Sequence, residues 1–552
     1  MNLISILFKT SWRRVLGAAL ASVASGLSIA AMLALINTAL ARAGSAQEKL
    51  AWGFAGLCVL VLVSRVLSAT LLLRLSQDTL AALRMHLSRQ ILAAPLHRLE
   101  QAGKHRLLAA LTDDVTIVAE IFHRLPLLCM NGAIVTGCLA YLGWMSWQLL
   151  LATLALLALG VGAFLLQQKG AFAALERSRA AGDDLHLHLR ALTDGVKELQ
   201  LHQPKREAFL TGALGPTLDR VRRHFVAGMT VLLAAESWAS MLFLMLVGLV
   251  LFAVPALVPV DSAVLGGYAL VLLYMRGPFE GLVVTLPDLG QSRIALARIE
   301  RLRAELQQDG APALAHVPSP LAVAGAPFHG LELAGVTHAY HRELEERSFT
   351  LGPIDLALRP GELVFLIGGN GSGKTTLAKL LLGLYAPESG QVRINGAAVD
   401  AAGREAYRQH FSAIYADFYL FDDLPGDGTP EAAARAQQYL ERLQLAHKVR
   451  IDGGRFSTTA LSQGQRKRLA LLSAYLEDRP VYLFDEWAAD QDPVFKRVFY
   501  TELLPDLRAR GKAVFVITHD DQYFHLADRC LKLEDGQLSD LHFPRHATLA
   551  RA

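Results

Sequence analysis

The chain has 552 residues, 53% of them apolar and only 19% charged, with a formal net charge of +4. That length allows several domains, and so apolar a composition argues against a wholly soluble protein. The small net charge gives no support to nucleic acid as a partner. Of the four cysteines, Cys58, Cys129 and Cys138 lie in apolar runs and none forms a C-x-x-C pair, which argues against a disulfide framework or a zinc site.

The N-terminus has no small-residue cleavage site after a short apolar core, so the first apolar run is expected to be a retained membrane span. Six runs approach or exceed the roughly 20 residues a bilayer crossing takes, at 15–40, 51–75, 125–145, 148–167, 227–254 and 260–286. The near-continuous segment 125–167 is broken by "GWMSWQ", which predicts a helical hairpin with Trp144 and Trp147 at the interface. Lys9, Arg13 and Arg14 precede span one, and the long connections 76–124 and 168–226 carry many more basic residues, including Arg84, Arg89, Lys104, Lys169, Arg177, Lys197, Arg222 and Arg223. The positive-inside rule then puts both termini and the long loops in the cytoplasm. Helical periodicity in those loops predicts that spans two to five continue beyond the bilayer. Counted at 1.5 Å per residue, Arg65 lies about 22 Å down span two, Glu236 about 25 Å down span five, and Arg276 and Glu280 about 25–30 Å down span six. Charges at that depth face a cavity, pair with each other or snorkel. Two readings stay open: a polar inner vestibule for a polar cargo, or a structural Arg–Glu pair.

A Pro/Ala/Gly-rich linker follows within 307–328, and beyond it short apolar strands alternate with helical patterns, the mark of an α/β domain over 329–545 with a tail at 546–552. "LVFLIGGNGSGKTTLAKLLLGLY" (363–385) is a strand, a glycine loop and a helix, and Gly368 to Thr375 fit G-x-x-x-x-G-K-[ST]. Gly368, Gly369, Asn370, Gly371, Ser372 and Gly373 are expected to wrap phosphates with backbone N–H groups, Thr376 following on the helix. Lys374 reaches the β/γ-phosphates and Thr375 offers a hydroxyl to Mg²⁺. "VYLFDE" (481–486) is a strand ending in Asp485, suited to Mg²⁺, and Glu486, placed to deprotonate an attacking water. His519 ends the strand of "AVFVITHD", within reach of a γ-phosphate. In "LSQGQRKRLALL" (461–472), Ser462 and Gln465 form a capping-box pattern around Gln463 and Gly464. The first turn has no acid but Gly464, then Arg466, Lys467 and Arg468, so the helix start is read as open to an anion.

Together these residues resemble the ABC transporter ATPase family. Lys374 and Thr375 match its Walker A motif, Asp485 and Glu486 its Walker B, Asp492 the D-loop, His519 the H-loop, "LSQGQ" the signature usually written LSGGQ, and Tyr340 of "GVTHAY" the aromatic A-loop position. The resemblance covers the whole chain, since the family's exporters fuse six spans to one such domain. It implies a multidomain fold: an all-α six-helix transmembrane domain of the type IV ABC exporter kind over 1–306, then an α/β P-loop ABC ATPase domain. It further implies ATP and Mg²⁺ as ligands, and a head-to-tail dimer in which the signature of one copy caps the γ-phosphate held by the other. Nothing essential for hydrolysis is missing from one copy, which favours a homodimer. The implied setting is a bacterial inner membrane, among membrane lipid, with the ATPase domain cytoplasmic.

One departure stands out. Where the family's Q-loop has glutamine, "IYADFYLF" (414–421) has Ala416, with Asp417 beside it as a substitute metal-side group. That absence, the extended acidic insert after the A-loop strand, and "LTDGVKELQLH" (192–202) resemble the cyclic peptide and siderophore exporters of the pyoverdine, syringomycin-type and microcin group. The resemblance implies an ATP-driven exporter of a peptide-like small molecule, with "KELQLH" a candidate coupling helix. A periplasmic adaptor and an outer-membrane channel are compatible with such an exporter. The alternatives are a siderophore importer on the same fold, a lipid or drug flippase, or a nucleotide-gated channel or regulator, the last opposed by Glu486. The cargo itself is not legible.

Overall fold

The computed structural model describes residues 3–41, 47–257, 261–307, 327–340, 349–424 and 429–541. It divides into two compact units, Met1–Ser88 with His105–Leu302, and Arg89–Lys104 with Arg303–Ala552. Most of the expected linker, the acidic insert at 341–348 and the C-terminal tail lie outside the described residues.

The first unit is helical. Its long helices are Leu3–Ala41, Gln47–Ala93, Val115–Met145, Trp147–Asp194, Gly215–Gly248 and Ser262–Gln307, the second and last ending in the other unit. Among the described residues, three stretches are long and apolar enough to cross a membrane, Arg13–Leu40, Glu48–Ala93 and Lys104–Met145, and two shorter apolar ones follow at Trp147–Gly162 and Ser240–Ala256. The run expected at 260–286 falls inside Ser262–Gln307, some of whose side chains lie outside the described residues. The helical hairpin turns at Ser146, whose hydroxyl accepts from Leu149 N at 3.5 Å, and Trp144 and Trp147 beside it are exposed. The first and third long helices pack closely because small residues face each other. A Cβ on Gly26 would lie 2.6 Å from that of Ala133, and one on Gly137 2.8 Å from that of Ala30. Ile29, Leu33, Ile134, Leu142, Phe243 and Met275 form the core there.

The intramembrane charges resolve differently from one another. Arg276 Nε donates to Glu280 Oε1 at 3.0 Å, one turn away, and Ser240 Oγ closes the cluster at 2.6 Å from Arg276 Nη2. That is the structural-pair reading for these two residues. Arg65 is not part of the cluster, and the Glu236 side chain lies outside the described residues.

The second unit holds strands β1 (Leu331–Tyr340), β2 (Phe349–Leu358), β3 (Leu363–Ile367), β4 (Ser389–Ile394), β5 (Ala397–Ala398), β6 (Phe411–Ile414), β7 (Ile451–Asp452), β8 (Arg455–Phe456), β9 (Val481–Asp485), β10 (Ala513–Ile517), β11 (Arg529–Glu534) and β12 (Gln537–Leu541). An antiparallel sheet runs β2-β1-β4-β5, and the central sheet runs β12-β11-β3-β10-β9-β6, parallel from β11 to β6. β9 and β10 are buried at every position and β3 at all but its last, as continuous apolar runs in a parallel sheet require. Adjacent parallel strands bring the loops after β3, β9, β10 and β6 to one edge, the carboxyl edge where such sheets bind ligands.

Several short helices lie between the long ones. Val196–Leu201, which contains most of "KELQLH", is a separate helix in the first unit, bounded by Gly195 and His202, with Leu201 exposed. Leu96–Ala102 belongs to the second unit, between Pro95 and Gly103.

Candidate nucleotide site

The glycine loop after β3 turns through Gly371 (φ 81°) and Gly373 (φ 103°), backbone angles that side chains rarely adopt. It leads into the helix Lys374–Leu381. Gly368 has a different reason to be glycine: a Cβ there would lie 2.4 Å from Leu533 O. Lys374 is buried and folds back over the loop, donating to Gly368 O at 2.9 Å and Gly369 O at 3.0 Å. Ser372 Oγ is buried with no hydrogen-bond partner. A glycine loop, an ammonium held by carbonyls alone and an orphaned hydroxyl fit a phosphate chain. Asn370, Gly369 and Thr375 are exposed and Thr376 is half-buried around it.

Asp485 ends β9 at 3% exposure. Burial, then the neighbouring Glu486, pushes its carboxyl up to about 6, against the pull of Lys374. A buried carboxylate beside another acid and a lysine is a site that a divalent cation suits. Asp417, after β6, adds to the negative charge there and is exposed. Glu486 takes a left-handed backbone (φ 48°) that breaks away from the strand, and its N–H donates to Ile517 O at 3.0 Å. Its Oε1 lies 3.2 Å from His519 Nε2 at the end of β10. Strand neighbours β9 and β10 thus set a carboxylate and an imidazole face to face.

Tyr340 is the last residue of β1, paired with Phe349 of β2; its side chain lies outside the described residues.

The signature helix, Gln463–Glu477, starts as expected. Ser462 Oγ accepts from Gln465 N and Gln465 Oε1 from Ser462 N, both at 3.4 Å. Two of the three basic residues depart from the anion reading. Lys467 is buried, 2.7 Å from Asp490 Oδ2, and donates to Glu486 O at 2.9 Å. Arg468 pairs with Asp492 and lies 3.6 Å over the Phe495 ring. Arg466 lies 5.9 Å from the Phe418 ring centre. Lys467 and Arg468 therefore tie the signature helix to the segment after Glu486. Asp492 is also engaged: Oδ1 caps the helix Pro493–Val498 at 2.9 Å from Phe495 N, and with Arg468 on the other oxygen its carboxyl is held below the usual range. Gly464 packs against this segment, where a Cβ would lie 2.6 Å from Asp490 O, and Gln491 Nε2 donates to Gly464 O at 3.0 Å. Sequence reasoning missed Asp490 and Gln491, since no local pattern pairs residues more than twenty apart.

It also missed Leu96–Ala102, although Pro before and Gly after are helix-boundary residues. Glu100 pairs with Lys379 Nζ at 2.7 Å and is hydrogen-bonded by the Tyr385 hydroxyl. Lys379 lies on the helix that begins at Lys374, so this short segment is clasped directly to the glycine-loop helix.

The ABC transporter family matches residues 351–489, and the ABC transporter transmembrane region matches residues 14–188. The sequence is 39% identical over 517 residues, 93% of this chain and 91% of the relative, to the ATP-binding protein SyrD of Pseudomonas syringae pv. syringae. This chain is an ABC transporter. It is also 34% identical over 219 residues, 37% of this chain and 36% of the relative, to the ATP-dependent lipid A-core flippase of Dechloromonas aromatica. The transporter has the fold of a bacterial Atm1-family ABC exporter solved with ATP bound, at TM-score 0.69 and 20% identity over 96% of this chain and 94% of that one. Its membrane region and ATPase domain are fused in one chain, and its activity is ATP hydrolysis coupled to transport.

Proposed function

We propose that this transporter exports a peptide-like secondary metabolite, a cyclic peptide, lipopeptide or siderophore, across the bacterial inner membrane as a homodimer. The observation that carries the cargo class is the degree of the similarity together with its reach. It runs through 93% of the chain at 39% identity for SyrD, against 37% of the chain at 34% for one lipid A-core flippase and 81% at only 23% for another. The glutamine-free stretch "IYADFYLF" and the "LTDGVKELQLH" segment support the same group.

In the ATP site, Lys374 and the glycine-loop N–H groups neutralise and hold the phosphates, and Tyr340 stacks on adenine. Mg²⁺, held by Thr375 and Asp485 with Asp417 nearby, supplies charge neutralisation at the β/γ-phosphates when bound. Glu486 accepts the proton of the attacking water. His519, 3.2 Å from Glu486 Oε1, orients that carboxylate. Ser462, Gln463, Gly464 and Gln465 of a second copy close over the γ-phosphate, and Asp492 positions that closure through Arg468. The two ATPase domains and both termini lie in the cytoplasm. ATP binding closes the dimer and hydrolysis reopens it, a population shift set by γ-phosphate contacts.

The test is comparative mass spectrometry of secreted and cell-retained metabolites in strains carrying the wild-type protein, a deletion or Lys374→Ala, with and without iron limitation. One peptide-like compound should vanish from the medium and accumulate inside both defective strains. A fall in iron-loaded uptake with unchanged secretion would instead establish an importer. No change in either would overturn the peptide cargo.

A further inference from the structure

The hydroxyls of the membrane-length helices share a habit. Ser28, Thr38, Ser64, Thr70, Thr136 and Thr153 each donate to the carbonyl four residues back, at 2.6–2.9 Å. Such back-bonding is the cheapest way to satisfy a hydroxyl in an apolar setting. Ser25 departs from it. It is fully buried at 0% exposure, and its Oγ has no hydrogen-bond partner. Buried polar groups without a partner are rare and call for an explanation.

Ser25 lines a cavity of about 480 Å³ between the first three long helices. Its polar wall is three helical pairs: Ser22 and Ser25, Arg65 and Ser68, Glu120 and Arg124. The spacing of three or four residues within each pair puts both members on one face. Ser22 and Ser68 are spoken for. Their hydroxyls are 2.6 Å apart, and Ser68 donates to Ala18 O at 2.9 Å, so the Ser22 proton goes to Ser68. Arg65 forms no hydrogen bond or ion pair among the described residues. Two guanidinium groups and one carboxylate leave the lining with one net positive charge. Leu72, Leu127 and Met130 make part of the wall apolar. The Arg276–Glu280–Ser240 cluster offers nothing comparable, since its members satisfy one another.

We propose that this cavity binds the anionic end of an amphiphile, a carboxylate or phosphate monoanion against the Arg65 guanidinium with the Ser25 hydroxyl donating, and its apolar part along Leu72 and Met130. An unpaired cation and an unspent donor on one apolar-walled cavity match that chemistry and no neutral polar one as well. The volume is in the range of small-molecule pockets. Two sources share the chemistry, the free carboxylate of a peptide-like cargo and the phosphate of a membrane lipid. Assigning the first source rests on the export reading; the binding itself does not.

The experiment uses the full chain purified in neutral maltoside micelles and isothermal titration with three probes of equal tail: N-dodecanoylglycine, dodecyl phosphate and the neutral N-dodecanoylglycinamide. The anionic probes should bind at least tenfold tighter than the amide. Ser25→Ala should weaken anion binding three- to fivefold, Arg65→Gln at least tenfold, and Arg65→Lys should recover part of the loss, with the amide unmoved throughout. Equal affinity for anions and amide, or anion binding indifferent to both Ser25→Ala and Arg65→Gln, overturns the proposal. Should Arg65→Gln fail to fold, Ser25→Ala and Arg65→Lys still decide it. Phosphate binding tighter than carboxylate, displaced by phosphatidylglycerol, assigns a lipid; the reverse order assigns a cargo carboxylate. A deletion strain with normal secretion would refute the export reading and leave this binding result standing.

Discussion

Replacing Gly464 with alanine tests how the signature helix is seated. A Cβ at that position would meet Asp490 O at 2.6 Å, and a comfortable carbon–oxygen contact begins at about 3.3 Å. The helix start and the turn Trp487–Asp490 must therefore separate by about 0.7 Å. That turn follows Glu486, whose carbonyl and neighbour Asp490 are both held by Lys467, so the displacement reaches the candidate base directly. Overpacking of this kind costs about 1–3 kcal/mol, while alanine regains about 1 kcal/mol over glycine in a helix. The net loss of stability is then about 0–2 kcal/mol, or about 0–8 °C in Tm for a domain of this size. The catalytic effect is larger, because a misplacement approaching 1 Å costs up to about 100-fold in rate. Gly464→Ala should thus lower kcat for ATP hydrolysis by about 10- to 100-fold while shifting the thermal midpoint only modestly. Phosphate release by the purified transporter and scanning fluorimetry on the same preparation give both numbers. A rate within twofold of wild type would refute the steric argument.

Glu486→Gln should abolish ATP turnover, by at least about 100-fold, while nucleotide still binds; binding and phosphate-release assays on one sample separate the two, and wild-type turnover would show that the proton acceptor lies elsewhere. Glu100→Gln removes the charge that holds the short helix Leu96–Ala102 to Lys379. Since that ion pair is partly exposed it contributes about 1 kcal/mol, so amide exchange across the helix should speed up about fivefold, and unchanged exchange would mean that the clasp does not hold it. Glu477 is exposed along its side chain, but its carboxyl accepts from the buried Ser412, and loss of solvent there raises it above the ordinary 4.5. The native state therefore holds this proton more tightly than the unfolded chain, so stability is lost as pH rises from about 4.5 through the folded pKa. Glu477→Gln should raise Tm at pH 7.5, with the gain shrinking toward pH 4.5; a difference that does not change with pH would contradict the sign.

Much of this transporter is written in local pattern. A strand, a glycine loop and a helix at 363–385 need only contiguous residues to be recognised, because phosphate binding depends on backbone N–H groups that neighbours present together. The capping box of Ser462 and Gln465 is local in the same way, and so is the break at Ser146 between two apolar runs. Long apolar helices are likewise set by composition, since a bilayer demands an unbroken hydrogen-bonded backbone. Charge function was not legible. Arg466, Lys467 and Arg468 read as an anion-facing set, but burial of Lys467 against Asp490 and of Arg468 against Asp492 depends on contacts more than twenty residues apart. Arg65, Arg276 and Glu280 looked equivalent by depth along their helices. Only the rotation and packing of those helices paired the last two through Ser240 and left Arg65 on a cavity with Ser25. Sequence spacing fixes which face of a helix a side chain occupies, whereas its partner depends on which other face the fold brings against it.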